Sequence, residues 1–130
     1  MSFVHHIAFN CRDKNAQEAF YVKHFGFRRV RIFNEGLPKE FVMLRLGTTC
    51  LELFQAMSDD APQAGEQPVG FKHFAFEVDD FDAKVTELRD AGVDIDDIRD
   101  VSKYIEGLRV CFLRDPEGNI VELIEGYTDA

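Results

Sequence analysis

His73-Phe74-Ala75-Phe76, with Asp80 seven positions after its histidine, restates His6-Ile7-Ala8-Phe9, with Asp13 seven positions after its own. Two other apolar stretches answer each other in the same way, Leu51-Glu52-Leu53-Phe54 in the first half and Val121-Glu122-Leu123-Ile124 in the second. Each of the four reads as a strand with one metal-competent side chain at its centre, in the order His, Glu, His, Glu. Glu52 follows His6 by 46 positions and Glu122 follows His73 by 49, so the spacing is nearly kept. The chain is therefore read as a duplicated module of roughly half its length.

Outward from these stretches, each half reads as strand, helix and three strands, an α+β arrangement. Strand alternation from Phe3 to Asn10 puts His6, Ala8 and Asn10 on one face and His5, Ile7 and Phe9 on the other, so only one of the paired histidines faces a site. Asp13 caps a helix to about His24, with Ala16, Ala19 and Phe20 as its buried stripe, and Gly26 ends it. His24, in the last turn, is read as a helix-dipole residue rather than a ligand. Strands follow at Phe27 to Asn34, Glu40 to Leu46 and Cys50 to Ala56, the last with Cys50, Glu52 and Phe54 on one face.

Residues Met57 to Val69 hold two prolines and no periodicity and read as a linker. The second module opens with a strand from Phe71 to Val78, in which His73, Ala75 and Glu77 share a face. Asp80 then caps a helix whose Phe81, Val85 and Leu88 form a stripe, and Gly92 ends it. Strands are expected near Ile98 to Tyr104, at Leu108 to Arg114 and, after the Asp115-Pro116-Glu117-Gly118 turn, at Asn119 to Glu125. Module 1 thus covers about residues 1–56 and module 2 about 70–127. The two are expected to share one core in a single domain over 1–130, because half of this length buries a sheet face poorly.

A formal charge of −9 argues against a nucleic-acid surface, which draws on clustered Lys and Arg. No apolar run reaches the eighteen or so residues of a membrane helix, and the N-terminus lacks a signal-peptide layout, so a cytoplasmic protein that contacts no membrane is expected. Three cysteines, Cys11, Cys50 and Cys111, without a C-x-x-C pair, suit a reducing compartment and buried thiols.

An ionised glutamate inside an apolar strand is costly unless paired or coordinated, and two such glutamates accompany two histidines at corresponding places. One divalent transition ion, Zn, Ni, Co, Fe or Mn, accounts for His6, Glu52, His73 and Glu122 together. That requires each module to curl its sheet so that these faces point inward, with Ile7, Phe9, Leu51, Leu53, Phe74, Phe76, Val121 and Leu123 packed against the helices.

The residues His6-Ile7-Ala8-Phe9, Phe25-Gly26-Phe27, Leu51-Glu52-Leu53, His73-Phe74-Ala75-Phe76 and Asp115-Pro116-Glu117-Gly118-Asn119 to Glu122-Leu123 resemble the vicinal oxygen chelate superfamily, across nearly the whole chain. That group includes glyoxalase I, methylmalonyl-CoA epimerase, extradiol dioxygenases and the fosfomycin and bleomycin resistance proteins. The resemblance implies two βαβββ modules forming a cupped mixed sheet with helices on the outer face, metal ligands at His6, Glu52, His73 and Glu122, and a homodimer.

The ligand pattern is most similar to that of glyoxalase I. Asn10 and Ala56 stand where that enzyme carries an arginine and an asparagine, two departures at the positions that bear on glutathione recognition, and the sequence leaves open whether glutathione is used. The activity implied is that of a glyoxalase-like lyase or isomerase acting on a small-molecule substrate that offers two neighbouring oxygens. The ion would act as Lewis acid on a carbonyl, and Glu122 or Glu52 would be the catalytic base. Glu35 and Glu40 are alternative bases. Arg29 and Arg31, read as sharing a strand face, are either an anchor for a substrate anion or a solvated face. The rival reading is a metal-free ligand-sequestering protein of the bleomycin-resistance kind, with epimerase-like and dioxygenase-like enzymes as further alternatives.

Overall fold

The computed structural model describes residues 4–58 and 71–129. Met57 and Ser58 are exposed, and the rest of the stretch read as a linker lies outside the described residues. The chain forms two compact units, Met1–Gln63 and Ala64–Ala130.

In the first unit β1 (His6–Cys11), α1 (Lys14–Phe25), β2 (Arg28–Phe33), β3 (Phe41–Leu46) and β4 (Thr49–Gln55) follow in order. The sheet runs β1-β4-β3-β2, with β1 parallel to β4 and the remaining pairs antiparallel. Asp13 caps α1 by accepting from the backbone N–H groups of Asn15 and Ala16, and Gly26 closes it at φ 78°, a left-handed turn that glycine adopts without strain.

Of the stripe expected at Ala16, Ala19 and Phe20, the helix buries Phe20 but leaves Ala16 half-buried and Ala19 exposed. Gln17, Tyr21, His24 and Phe25 face inward beside Phe20, because the aromatic side chains supply more apolar area than alanine methyls. Tyr21 stacks on Phe9 of β1 and meets Phe27 edge-on, while His24 lies edge-on against Phe20. Phe9, Val42, Leu44, Leu51 and Leu53 complete this core, and on the opposite face, which carries Glu52, every β3 and β4 side chain from Phe41 to Phe54 except the buried Cys50 is half-buried.

The second unit repeats the plan with β5 (Phe74–Glu77), α2 (Phe81–Asp90), β6 (Arg99–Asp100), β7 (Arg109–Arg114) and β8 (Ile120–Glu125). Its sheet order, β5-β8-β7-β6, matches that of the first, again with the outer pair parallel. Asp80 caps α2 through the N–H of Ala83, and Phe81, Val85 and Leu88 are buried as expected. Val121, Leu123, Cys111 and Leu113 form the facing layer. Arg109 ties helix to sheet: its guanidinium lies over Phe81, donates to Asp82 and Glu125, and is held more firmly protonated by both carboxylates.

The second unit's first two strands fall furthest short of the lengths the sequence suggested, and in the first unit His6 is the first residue of β1 rather than its centre. The strand expected from Ile98 to Tyr104 is only the two-residue β6, because the chain turns at once: Asp100 Oδ1 accepts from Ser102 N, and Tyr104 N donates to the Val101 carbonyl. The strand expected from Phe71 begins at Phe74, so His73 stands just before β5 rather than at its centre. All three cysteines are buried, and burial pushes the Cys111 thiol up. The α+β class and the two βαβββ modules are as read from the sequence.

Candidate metal centre

Strand register decides what surrounds each acid. In the first unit His6 pairs with Cys50 and Ala8 with Glu52 across the parallel β1–β4 ladder, which sets His6 diagonally from Glu52 on one face. His6 Nε2 lies 3.3 Å from Glu52 Oε1. The neighbouring His5 meets the His6 ring edge-on, and the two Nδ1 atoms are 3.0 Å apart.

In the second unit Ala75 pairs with Glu122 across the parallel β5–β8 ladder, and Phe112 pairs with Glu122 from β7. His73 Nε2 lies 3.0 Å from Glu122 Oε2, and the edge-on contact of Phe112 with the His73 ring fixes the imidazole's orientation. Arg99 in turn covers the Phe112 ring. Both glutamate side chains are 15% exposed, whereas His6 is 43% and His73 26% exposed, so the second pair is the better shielded.

The four residues singled out in the sequence are thus brought together in twos. Within neither unit does a third His, Cys, Asp or Glu among the described residues join the pair. Each pair fits a divalent ion. Two donors about 2.1 Å from one ion lie about 3 Å apart at a right angle and about 3.4 Å apart at the tetrahedral angle. The observed separations of 3.0 and 3.3 Å correspond. Imidazole with carboxylate is also the donor chemistry that first-row transition ions accept.

The other candidates fall elsewhere. Glu40 accepts from Lys14 Nζ at 2.7 Å and from the Gly36 N–H at 2.8 Å, and these bonds hold its carboxyl below the usual range, so it staples a loop and is a poor base. Glu35 is exposed on that loop.

Arg29 and Arg31 do not share a face. The β2–β3 register shifts at Val30, so Arg29 pairs with Leu44 and Arg31 with the adjacent Met43. A bulge inserts one residue and reverses the alternation beyond it. Arg29 accordingly forms a bidentate ion pair with Glu18 on α1, while Arg31 lies over Phe33 on the Glu52 face.

Residues missed in the sequence are Ala8, Ala75 and Phe112. The first two carry a signal that could have been used: an alanine two positions after each histidine, where a larger side chain would cover the glutamate on the next strand.

Fold and donors together define a class: duplicated βαβββ modules, each presenting one imidazole and one carboxylate from the sheet face opposite its helix. The sequence profile of the Glyoxalase/Bleomycin resistance protein/Dioxygenase superfamily matches residues 3–123, and the chain belongs to that family. The protein YwkD of Bacillus subtilis strain 168 is 32% identical over 124 residues, spanning 94% of this chain and 95% of its own. Among solved structures, a glyoxalase family protein from Enterococcus faecalis is 28% identical with a TM-score of 0.80, covering 95% of this chain and 97% of the other. A lactoylglutathione lyase from Agrobacterium tumefaciens is 30% identical with a TM-score of 0.69, covering 97% and 95%.

Proposed function

We propose that this protein is a divalent-metal-dependent, glyoxalase-like lyase or isomerase that moves a proton beside a carbonyl of a small substrate presenting two neighbouring oxygens. The observation that carries this reading is the recurrence of one His–Glu pair at the same diagonal of both sheets, at separations suited to shared coordination. In this reading His6, Glu52, His73 and Glu122 hold one transition ion, and the protein works as a homodimer. The similarity to a lactoylglutathione lyase supports the reaction class.

A bound divalent ion would polarise the substrate carbonyl and stabilise the charge that develops when the adjacent proton leaves. The chain's own groups do the rest. Glu122, with Glu52 as its counterpart, takes the proton from carbon and returns it to the neighbouring carbon. Ala75 and Ala8 leave room for the reacting carbon beside each carboxylate. Phe112 keeps His73 oriented.

The test is elemental analysis of the untagged protein beside His6→Ala and Glu122→Ala, together with turnover of Glu122→Gln. Near one transition ion per four-donor set, lost in both alanine variants, is expected, and Glu122→Gln should slow hemithioacetal isomerisation by about a hundredfold or more. Full activity in Glu122→Gln would remove its role as base. No ion even after reconstitution would turn the assignment to a ligand-sequestering protein.

A further inference from the structure

The Glu52 face of the first sheet carries more than its ligand pair. Cross-strand pairing places Phe54, Phe41 and Phe33 in one row, with Phe54 opposite Phe41 and Phe41 opposite Phe33. Their rings stack in sequence, at 4.3 Å and 19° between Phe54 and Phe41 and at 4.6 Å and 9° between Phe41 and Phe33. All three are half-buried, in contrast to the fully packed Leu51, Leu53, Val42 and Leu44 of the other face.

The next row holds Glu52, Met43 and Arg31, and the row beyond it Cys50, Arg45 and Arg28. Arg28 and Arg45 stand directly opposite each other, an arrangement that costs stability through like-charge repulsion. Among the described residues none of Arg28, Arg31 and Arg45 has an ion-pair partner, in a chain with 24 acidic side chains and a net charge of −9. By contrast, Arg29, Arg109 and Arg114 are each bound to carboxylates. The one acid in these rows, Glu52, is engaged by His6.

We infer that this face binds a small organic carboxylate bearing an aromatic ring, with the ring on the Phe33–Phe41–Phe54 stack and the carboxylate on Arg45 and Arg31. Charge complementarity supplies the anion: a carboxylate relieves the Arg28–Arg45 repulsion and accepts charge-assisted bonds. The stack supplies the ring, which gains offset or edge-on contacts that an alkyl group lacks. Glu52 lies between the aromatic row and the arginine row. Successive rows on one face are two residues, about 6.6 Å, apart along the strand, so Arg45 lies about 13 Å from Phe41 with the Glu52 row midway, and a ligand reaching from the aromatic stack toward the arginine side chains passes the carboxylate. The inference rests on the proposed function only in taking the Glu52 face as the substrate's face.

A matched set of probes tests it: 4-oxo-4-phenylbutanoate, with ring and carboxylate; butyrophenone, the neutral ring-bearing ketone; and 4-oxopentanoate, the anion without the ring. Their dissociation constants would be measured calorimetrically on the full chain, as isolated and after chelator treatment. The ring-bearing anion should bind about tenfold more tightly than either of the others. Arg31→Gln with Arg45→Gln should abolish its advantage over butyrophenone while leaving butyrophenone within about twofold. Phe41→Leu, with Phe33→Leu as a second variant should the first unfold, should weaken the two aromatic probes and spare 4-oxopentanoate.

Equal affinity for all three probes, or unchanged binding of the anion in the arginine variant, would overturn the proposal. Because the comparison is also made on chelated protein, the discrimination stands or falls independently of whether the ion is present.

Discussion

Ala75 stands directly beside Glu122 across the parallel β5–β8 ladder, as Ala8 stands beside Glu52 across β1–β4. Both alanines are exposed, so neither is retained for core packing. A methyl group there leaves one flank of each carboxylate open. Substituting Ala75→Leu should cover Glu122 and weaken cobalt(II) binding by about tenfold or more, while the thermal midpoint stays near that of the parent, as expected for an exposed strand position. Optical titration with cobalt(II) beside a melting curve checks both. Undiminished metal affinity would show that the flank is not used.

Asp115 sets the register that brings Glu122 opposite Phe112. It is buried, and its Oδ1 accepts from the backbone N–H groups of Glu117 and Asn119, both at 2.9 Å, while Oδ2 accepts from Asn119 Nδ2 at 3.0 Å. Gly118, at φ 83°, completes the loop between β7 and β8. Asp115→Ala leaves these donors without their acceptor and should cost about 1–3 kcal/mol in urea unfolding. Asp115→Asn, which keeps an acceptor oxygen, should cost less. Equal losses in the two variants would mean that the carboxylate's hydrogen bonds do not hold the turn.

The hydrogen bond from Arg114 holds the Asp96 carboxyl below its ordinary value of 3.8. A carboxyl with a lowered folded-state pKa favours the folded state fully above its unfolded value and loses that contribution as pH falls through the folded value. Stability should therefore decline as pH drops below about 4, and Asp96→Asn should flatten that acid limb. Both residues are partly exposed, so the effect is small and screened by salt. Urea midpoints of parent and variant should differ at pH 6 and draw together as pH falls below 3.8, at low ionic strength. A difference that stays constant throughout the acid limb would place the variant's loss elsewhere than in the ion pair.

The amino-acid order by itself determined the duplication, the helix caps at Asp13 and Asp80, the turn at Asp115, and the pairing of each histidine with a glutamate 46 or 49 positions later. These are local or periodic properties: a cap is settled within three residues, and a strand's face by alternation. Tertiary structure decided what local pattern cannot. The shift at Val30 sends Arg29 to α1 and Arg31 to the Glu52 face, although simple alternation would have kept them together. The inward stripe of α1 runs through Gln17, Phe20, Tyr21 and His24 because Phe9 and Phe27 wait beneath those positions. Arg28, Arg31 and Arg45 meet on one face only through cross-strand register, and register is fixed by residues far apart in sequence whose side chains must fill one common layer.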